Sequence, residues 1–143
     1  MIKVVFDSNI LVSATFWTGD SFTVLNQADK GVIKNFLSKE IEEEYRRVIT
    51  SEEIIEKQER LRLNMQEIVE RVIITSMIVI PKRKITAVKD DPDDDKIIEC
   101  AVEGKVDYII TQDNHLLKLK DFEGIRIVTP KEFLDILKKQ TQH

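Results

Sequence analysis

Short unbroken apolar runs alternate along this chain with stretches whose apolar residues recur every three or four positions. The runs read as buried strands and the stripes as amphipathic helices. Five strands are expected: Ile2–Phe6, Val32–Phe36, Met77–Ile80 (stopped by Pro81), Tyr108–Thr111 and Ile125–Val128. Phe22, Leu25 and Ala28 mark a helix from Ser21 to Lys30, with Gly31 as its stop. Ser38 caps a helix that carries Ile41, Tyr45, Val48 and Ile49 on one stripe. Two more helices begin near Ser51 and Asn64, the second with Asn64 and Glu67 at capping-box spacing. A further helix follows the acidic run KDDPDDDK and reaches about Glu103, where Gly104 ends it. Thr129, Pro130 and Glu132 together mark the start of the last one.

Strands separated by helices require crossover connections. The expected fold class is therefore α/β, a central, mainly parallel sheet of about five strands with helices on both faces. No repeat, linker or low-complexity tract interrupts the 143 residues, which read as one domain, 1–143. In such sheets ligands bind outside the carboxyl ends of the strands. Asp7, just past the first strand, and Asp113, just past the fourth, then share one rim.

Composition removes several classes. With 42% hydrophobic and 34% charged residues the chain is not of the disordered kind. Cys100 is alone, which excludes a disulfide framework and a cysteine-based zinc site; mid-helix, it reads as a small core residue. No apolar stretch approaches the roughly 20 residues of a membrane span, and Asp7 breaks the first run before a signal-peptide core can form. A cytoplasmic protein without membrane contact is expected. The net charge of −4 argues against coating nucleic acid by bulk electrostatics. It leaves room for an enzyme acting on nucleic acid, because a bound divalent cation reverses the local sign.

Four acidic features carry the candidate chemistry. Asp7 and Asp113 end strands, and capping is the plain alternative for each. The run DDPDDDK mostly suits a solvated helix N-terminus. Within it Asp94 shares the core-facing stripe of Ile97, Ile98 and Ala101, so it is preferred, with Asp95 as the fallback. In SKEIEEEYRRV, Glu44 lies beside Tyr45, deeper in its helix than Glu40, and is the better placed to reach inward. Four converging carboxylates cannot all stay ionised without a counter-charge. Oxygen donors of this kind suit Mg²⁺ or Mn²⁺ rather than zinc.

Taken in order, FDSNILVSA, SKEIEEEYRRVI and DDPDDDKIIECAVEGKVDYIITQDNHLL resemble the PIN-domain nucleases, in particular the VapC-like toxin components of toxin–antitoxin systems. The resemblance spans nearly the whole chain. It implies a three-layer α/β/α sandwich and a divalent-metal-dependent ribonuclease. By matching position its acidic residues are Asp7, Glu44, Asp94 and Asp113, with Asn9 and Thr111 as small polar residues that orient them. The implied mechanism has Asp7, Asp94 and Asp113 holding one or two Mg²⁺ or Mn²⁺ ions while Glu44 orients or deprotonates water. The implied partners are an RNA substrate, a small antitoxin protein and a second copy in a homodimer.

Other residues divide between plain and functional roles. Lys82, Arg83 and Lys84 suit a solvated strand exit, or contact with RNA phosphates; Arg46 and Arg47 carry the same choice. His115 is either a surface residue or a neighbour of the site. Phe16 and Trp17 suit packing, dimer contact or stacking on a base. The helices from Ser51 to about Ser76, with Leu61, Leu63 and Met65, cover the sheet or offer a groove to an antitoxin helix. The competing function is a non-catalytic PIN-like module, whose signature would be a missing site carboxylate; none is missing. A phosphotransferase of the haloacid-dehalogenase type also puts Asp after its first strand. It needs a second Asp two residues on, where this chain has Asn9.

Overall fold

The computed structural model describes residues 1–14, 19–62 and 64–141. At its centre β1 (Ile2–Phe6) pairs with β2 (Ile33–Leu37) on one side and β4 (Tyr108–Ile110) on the other. β3 (Met77–Ile78) lies outside β2, β6 (Ile125–Val128) outside β4, and β5 (Asp121–Phe122) at the far edge, in the order β3-β2-β1-β4-β6-β5. All pairings are parallel except β5 with β6. The helices are α1 (Asn9–Ala14), α2 (Asp20–Asp29), α3 (Lys39–Ile49), α4 (Glu52–Leu61), α5 (Met65–Thr75), α6 (Asp95–Gly104), α7 (Asn114–Leu117) and α8 (Pro130–Thr141). Together they make the expected α/β/α sandwich. α6 packs across β1, β2 and β4, while α2 packs on α1, α5 and α8.

Val4, Val5 and Phe6 of β1 are fully buried, as the middle strand of a sheet covered on both faces must be. Ser38, Ser51 and Asn64 cap α3, α4 and α5 with their side chains. At α8, Thr129 and Glu132 form a reciprocal capping box, with bonds of 3.1 and 3.2 Å. Cys100 is buried and free, and burial pushes its thiol up to about 12, which makes it a packing residue rather than a nucleophile. No helix among the described residues is long and apolar enough to cross a membrane.

The differences from expectation are local. A sixth strand, β5, has only two residues, too few for any periodicity to show. β3 ends at Ile78, although one more sheet bond, from the Val79 N–H to the Leu37 carbonyl at 2.8 Å, extends its contact with β2. The six-residue α1 directly after the Asp7 turn had no counterpart in the expected elements. Gly104 does not end α6 by adopting a left-handed backbone. That conformation belongs to Lys105, at φ 51°. A Cβ on Gly104 would lie 2.7 Å from Phe36 Cδ2, so close packing of α6 on β2 is what requires glycine there. Phe16, Trp17, Leu63 and His143 lie outside the described residues.

Candidate metal centre

The strand order reverses at β1, which has β2 on one flank and β4 on the other, and ligand crevices form at such switch points. Asp7 and Thr111–Asp113 leave the sheet there, side by side. The end of β1 is clamped by side chains. Asn35 Oδ1 accepts the Phe6 N–H at 3.3 Å, and the buried Tyr45 hydroxyl donates to the Phe6 carbonyl at 2.6 Å. The Asp7 N–H continues the ladder to the Ile110 carbonyl at 3.0 Å. Asp7 thus has little freedom to move.

Its carboxylate is buried. Asp7 Oδ2 accepts the Thr111 hydroxyl at 2.8 Å, and Oδ1 accepts the Asn9 backbone N–H at 3.4 Å. Burial raises the Asp7 pKa above its ordinary value, the Thr111 and Asn9 bonds oppose the rise, and the charges of Asp113 and Glu44 add to it. Thr111 also accepts the Asp113 N–H at 2.9 Å, so one hydroxyl ties the two strand-end aspartates together. Asn9 reaches Asp7 through its backbone and not its side chain. Its Oδ1 is buried and has no hydrogen-bond partner among the described residues.

Asp113 has two roles. It caps α7, accepting the His115 N–H at 2.8 Å, and it faces Asp94. Oxygens of Asp91, Asp94 and Asp113 and a ring nitrogen of His115 all lie within 4.8 Å of one another. Asp94 belongs to a 3₁₀ turn, Pro92–Asp94, that leads into α6. Burial, the hydrogen bond with Asp113 and the charges of Asp7, Asp113 and Asp91 push the Asp94 carboxyl up to about 9. The same hydrogen bond holds Asp113 below its ordinary value, so the pair shares one proton across that bond. The other oxygen of Asp94, Oδ2, is buried and unpartnered among the described residues. Asp95 points elsewhere: its Oδ1 accepts the N–H groups of Ala87 and Val88 at 3.0 and 2.8 Å.

Glu44 approaches from α3. One of its oxygens accepts the Ser8 hydroxyl and the other pairs with the Lys96 ammonium. Lys96 also reaches Asp93 at 3.3 Å, and its side chain is only 13% exposed. Burial by itself would lower the Lys96 ammonium, but the bonds and charges of Glu44 and Asp93 outweigh it and raise the group.

Of the expected acids, Asp94 and Asp113 meet directly, Asp7 is joined to Asp113 through Thr111, and Glu44 stands beside them bound to a lysine. Asp91, Lys96 and Asn35 were not among the expected site residues, and His115, read as either a surface residue or a neighbour of the site, joins the acidic cluster while staying exposed. Asn35 had a readable signal, a polar amide inside the apolar strand IKNFL. Lys96 had none, because its pairing joins α3 to α6. Arg83 is taken by Glu123 at 2.8 and 2.9 Å, and Arg46 by Glu42 and Glu70.

These residues fit a hard divalent cation. The donors are mostly carboxylate oxygens, and the buried Asn9 Oδ1 and Asp94 Oδ2 lack a hydrogen-bond partner among the described residues. The raised Asp94 carboxyl marks a place where a cation would relieve the crowded negative charge. The cluster is thus capable of holding such a metal. Comparison with curated proteins yields no match. The family model described as PIN domain matches residues 3–115, a span that contains Asp7, Glu44, Asp91, Asp94, Asp113 and His115. The chain belongs to the PIN-domain family.

Proposed function

We propose that this protein is a divalent-metal-dependent endoribonuclease. The observation that carries the reading is the meeting of Asp94 and Asp113 at the sheet rim beside the buried Asp7, with Asp94 Oδ2 left unpartnered. Asp7, Asp94 and Asp113 would hold Mg²⁺ or Mn²⁺, with Asp91 and His115 alongside. Such a cation supplies positive charge for the phosphoryl oxygens and makes water a stronger acid. Thr111 keeps Asp7 and Asp113 in register with each other. Glu44, fixed by Ser8 and Lys96, orients or deprotonates the attacking water. Water displaces the 3′-oxygen in line, leaving a 5′-phosphate and a 3′-hydroxyl.

The finer reading is a toxin that works as a homodimer and is neutralised by a small antitoxin protein. Its support is the resemblance carried by FDSNILVSA and the DPDD-to-TQD segment. Induced expression should arrest growth of a bacterial host, and Asp7→Asn should relieve the arrest.

The chemistry is tested with purified protein and RNA. Cleavage is expected with Mg²⁺ or Mn²⁺, none in EDTA, and none with Asp7→Asn. Cleavage indifferent to both EDTA and that substitution defeats the proposal. RNA binding without turnover under either ion would instead establish a non-catalytic PIN-like binding module.

A further inference from the structure

A groove of about 780 Å³ opens beside the acidic rim, between the start of α3 and the chain that leaves β3. Lys39 stands on the first wall, and Val79, Ile80, Pro81 and Lys82 to Lys84 form the second. Lys96 lines the same groove, and its ammonium is the one that pairs with Glu44. Groove and metal centre therefore share a side chain.

The second wall is pinned. Glu103 accepts the Lys82 N–H at 2.9 Å, Glu99 accepts the Ile85 N–H at 2.9 Å, and Arg83 is locked to Glu123. Lys39, Lys82 and Lys84 are exposed and make no ion pair among the described residues. Glu40 and Glu43 bring opposing charge along α3, and Glu99 lines the groove with its carboxylate held by the Ile85 N–H. The exposed Lys82 and Lys84 of the β3-exit wall are therefore the side chains that favour an anionic strand. Ile80, 81% exposed on that wall, adds apolar surface for a base or sugar. Exposed lysines on a pinned backbone beside an exposed apolar residue, adjoining the carboxylate centre through Lys96, suit a single-stranded polyanion with flat bases.

We propose that this groove carries the RNA strand on one side of the cleaved bond. Lys39, Lys82 and Lys84 contact its phosphates, and Lys96 marks its entry to the metal centre. The inference rests on the nuclease reading above.

The test is fluorescence anisotropy of a labelled single-stranded RNA of about 12 nucleotides, within the span such grooves cover, with the full chain in EDTA over a range of salt concentrations. Lys82→Glu with Lys84→Glu should weaken binding at low salt by about tenfold or more. Their loss should also flatten the log–log salt dependence by about 1.4, at roughly 0.7 per phosphate contact on a single strand. Lys39→Glu, on the opposite wall, should flatten it by about 0.7. Lys139→Glu on α8, exposed and remote, should change neither. Unaltered affinity and slope in both groove variants overturn the proposal, as does wild-type protein that binds no RNA. Mn²⁺-dependent cleavage by the wild type is scored separately. Cleavage with unaffected groove variants rejects the groove and keeps the nuclease, whereas slope loss without cleavage under any ion keeps the groove and rejects the nuclease.

Discussion

The Thr111 hydroxyl donates to Asp7 Oδ2 at 2.8 Å while its oxygen accepts the Asp113 N–H at 2.9 Å. A single side chain therefore sets the relation between carboxylates that leave the sheet from two different strands. Thr111 is fully buried and Asp7 is buried beside it, so the Asp7 carboxylate has no ready exchange of this bond for one to solvent.

Thr111→Val keeps the shape and deletes the hydroxyl. It leaves a buried carboxylate with only the weak Asn9 bond and orphans the Asp113 N–H. A loss of about 1–3 kcal/mol is expected for removing such a partner. Urea denaturation measures it, and Thr111→Ser should recover most of the loss. Mn²⁺ stabilisation, read from the thermal midpoint, should fall in the valine variant and return in the serine one.

The pH response of the metal-free protein follows from the proton on Asp94. A carboxyl ordinarily at 3.8 and raised to about 9 in the folded state contributes stability fully present below its unfolded value. That contribution is lost as pH rises toward and through about 9. The raised Asp7 acts in the same direction. Asp113, held low, acts oppositely, and its contribution is lost only in acid. In EDTA the thermal midpoint should therefore fall as pH is raised from about 6 to about 9, and Asp94→Asn should flatten that fall. Because a cation competes with the Asp94 proton, stabilisation by Mn²⁺ should grow over the same interval. A metal-free midpoint that rises with pH there contradicts the shared proton.

Strand and helix pattern carried Asp7 and Asp113 to one rim, since parallel crossover connections place both strand ends on the same side of the sheet. Asp94 reaches Asp113 as well, but from the 3₁₀ turn before α6 and not from the helical stripe of Ile97, Ile98 and Ala101. What lay beyond the pattern depends on short or long-range geometry. Asp91 joins the cluster only through the 3₁₀ turn over Pro92–Asp94, and His115 only because α7 starts at Asn114. Pairing of Glu44 with Lys96 crosses between two helices, which no local spacing encodes. Gly104 was legible as a helix end, but its reason, the Phe36 ring against it, belongs to packing.

Lys96 and Glu44 form a part-buried pair, so breaking it from either side leaves a charge without its partner. Lys96→Met and Glu44→Gln should each destabilise by about 1–3 kcal/mol. The double variant should lose less than the sum, with a coupling of about 0.5–3 kcal/mol. Denaturant midpoints of the four proteins close the cycle, and additivity within error would show that the pair contributes nothing. Ser8 and Asp93 remain as partners for the survivors, which argues for the lower half of the range.

Asp94 and Asp95 are adjacent, alike in chemistry, and held for opposite purposes. Asp95 secures the chain before α6 by accepting two backbone N–H groups, from Ala87 and Val88. Asp95→Ala should cost about 1–3 kcal/mol and leave Mn²⁺ stabilisation in place. Asp94 is crowded by Asp7, Asp91 and Asp113 and has an oxygen with no partner. Asp94→Asn should therefore cost the metal-free protein nothing, or stabilise it above neutral pH, while abolishing the Mn²⁺ effect. Thermal midpoints of both variants with EDTA and with Mn²⁺ separate the two roles. Retained Mn²⁺ stabilisation in Asp94→Asn, with its loss in Asp95→Ala, would reverse the assignment. The burial of Asp94 would then reflect only the approach of the 3₁₀ turn to Asp113, and the cation would have to be sought on the other side of α6.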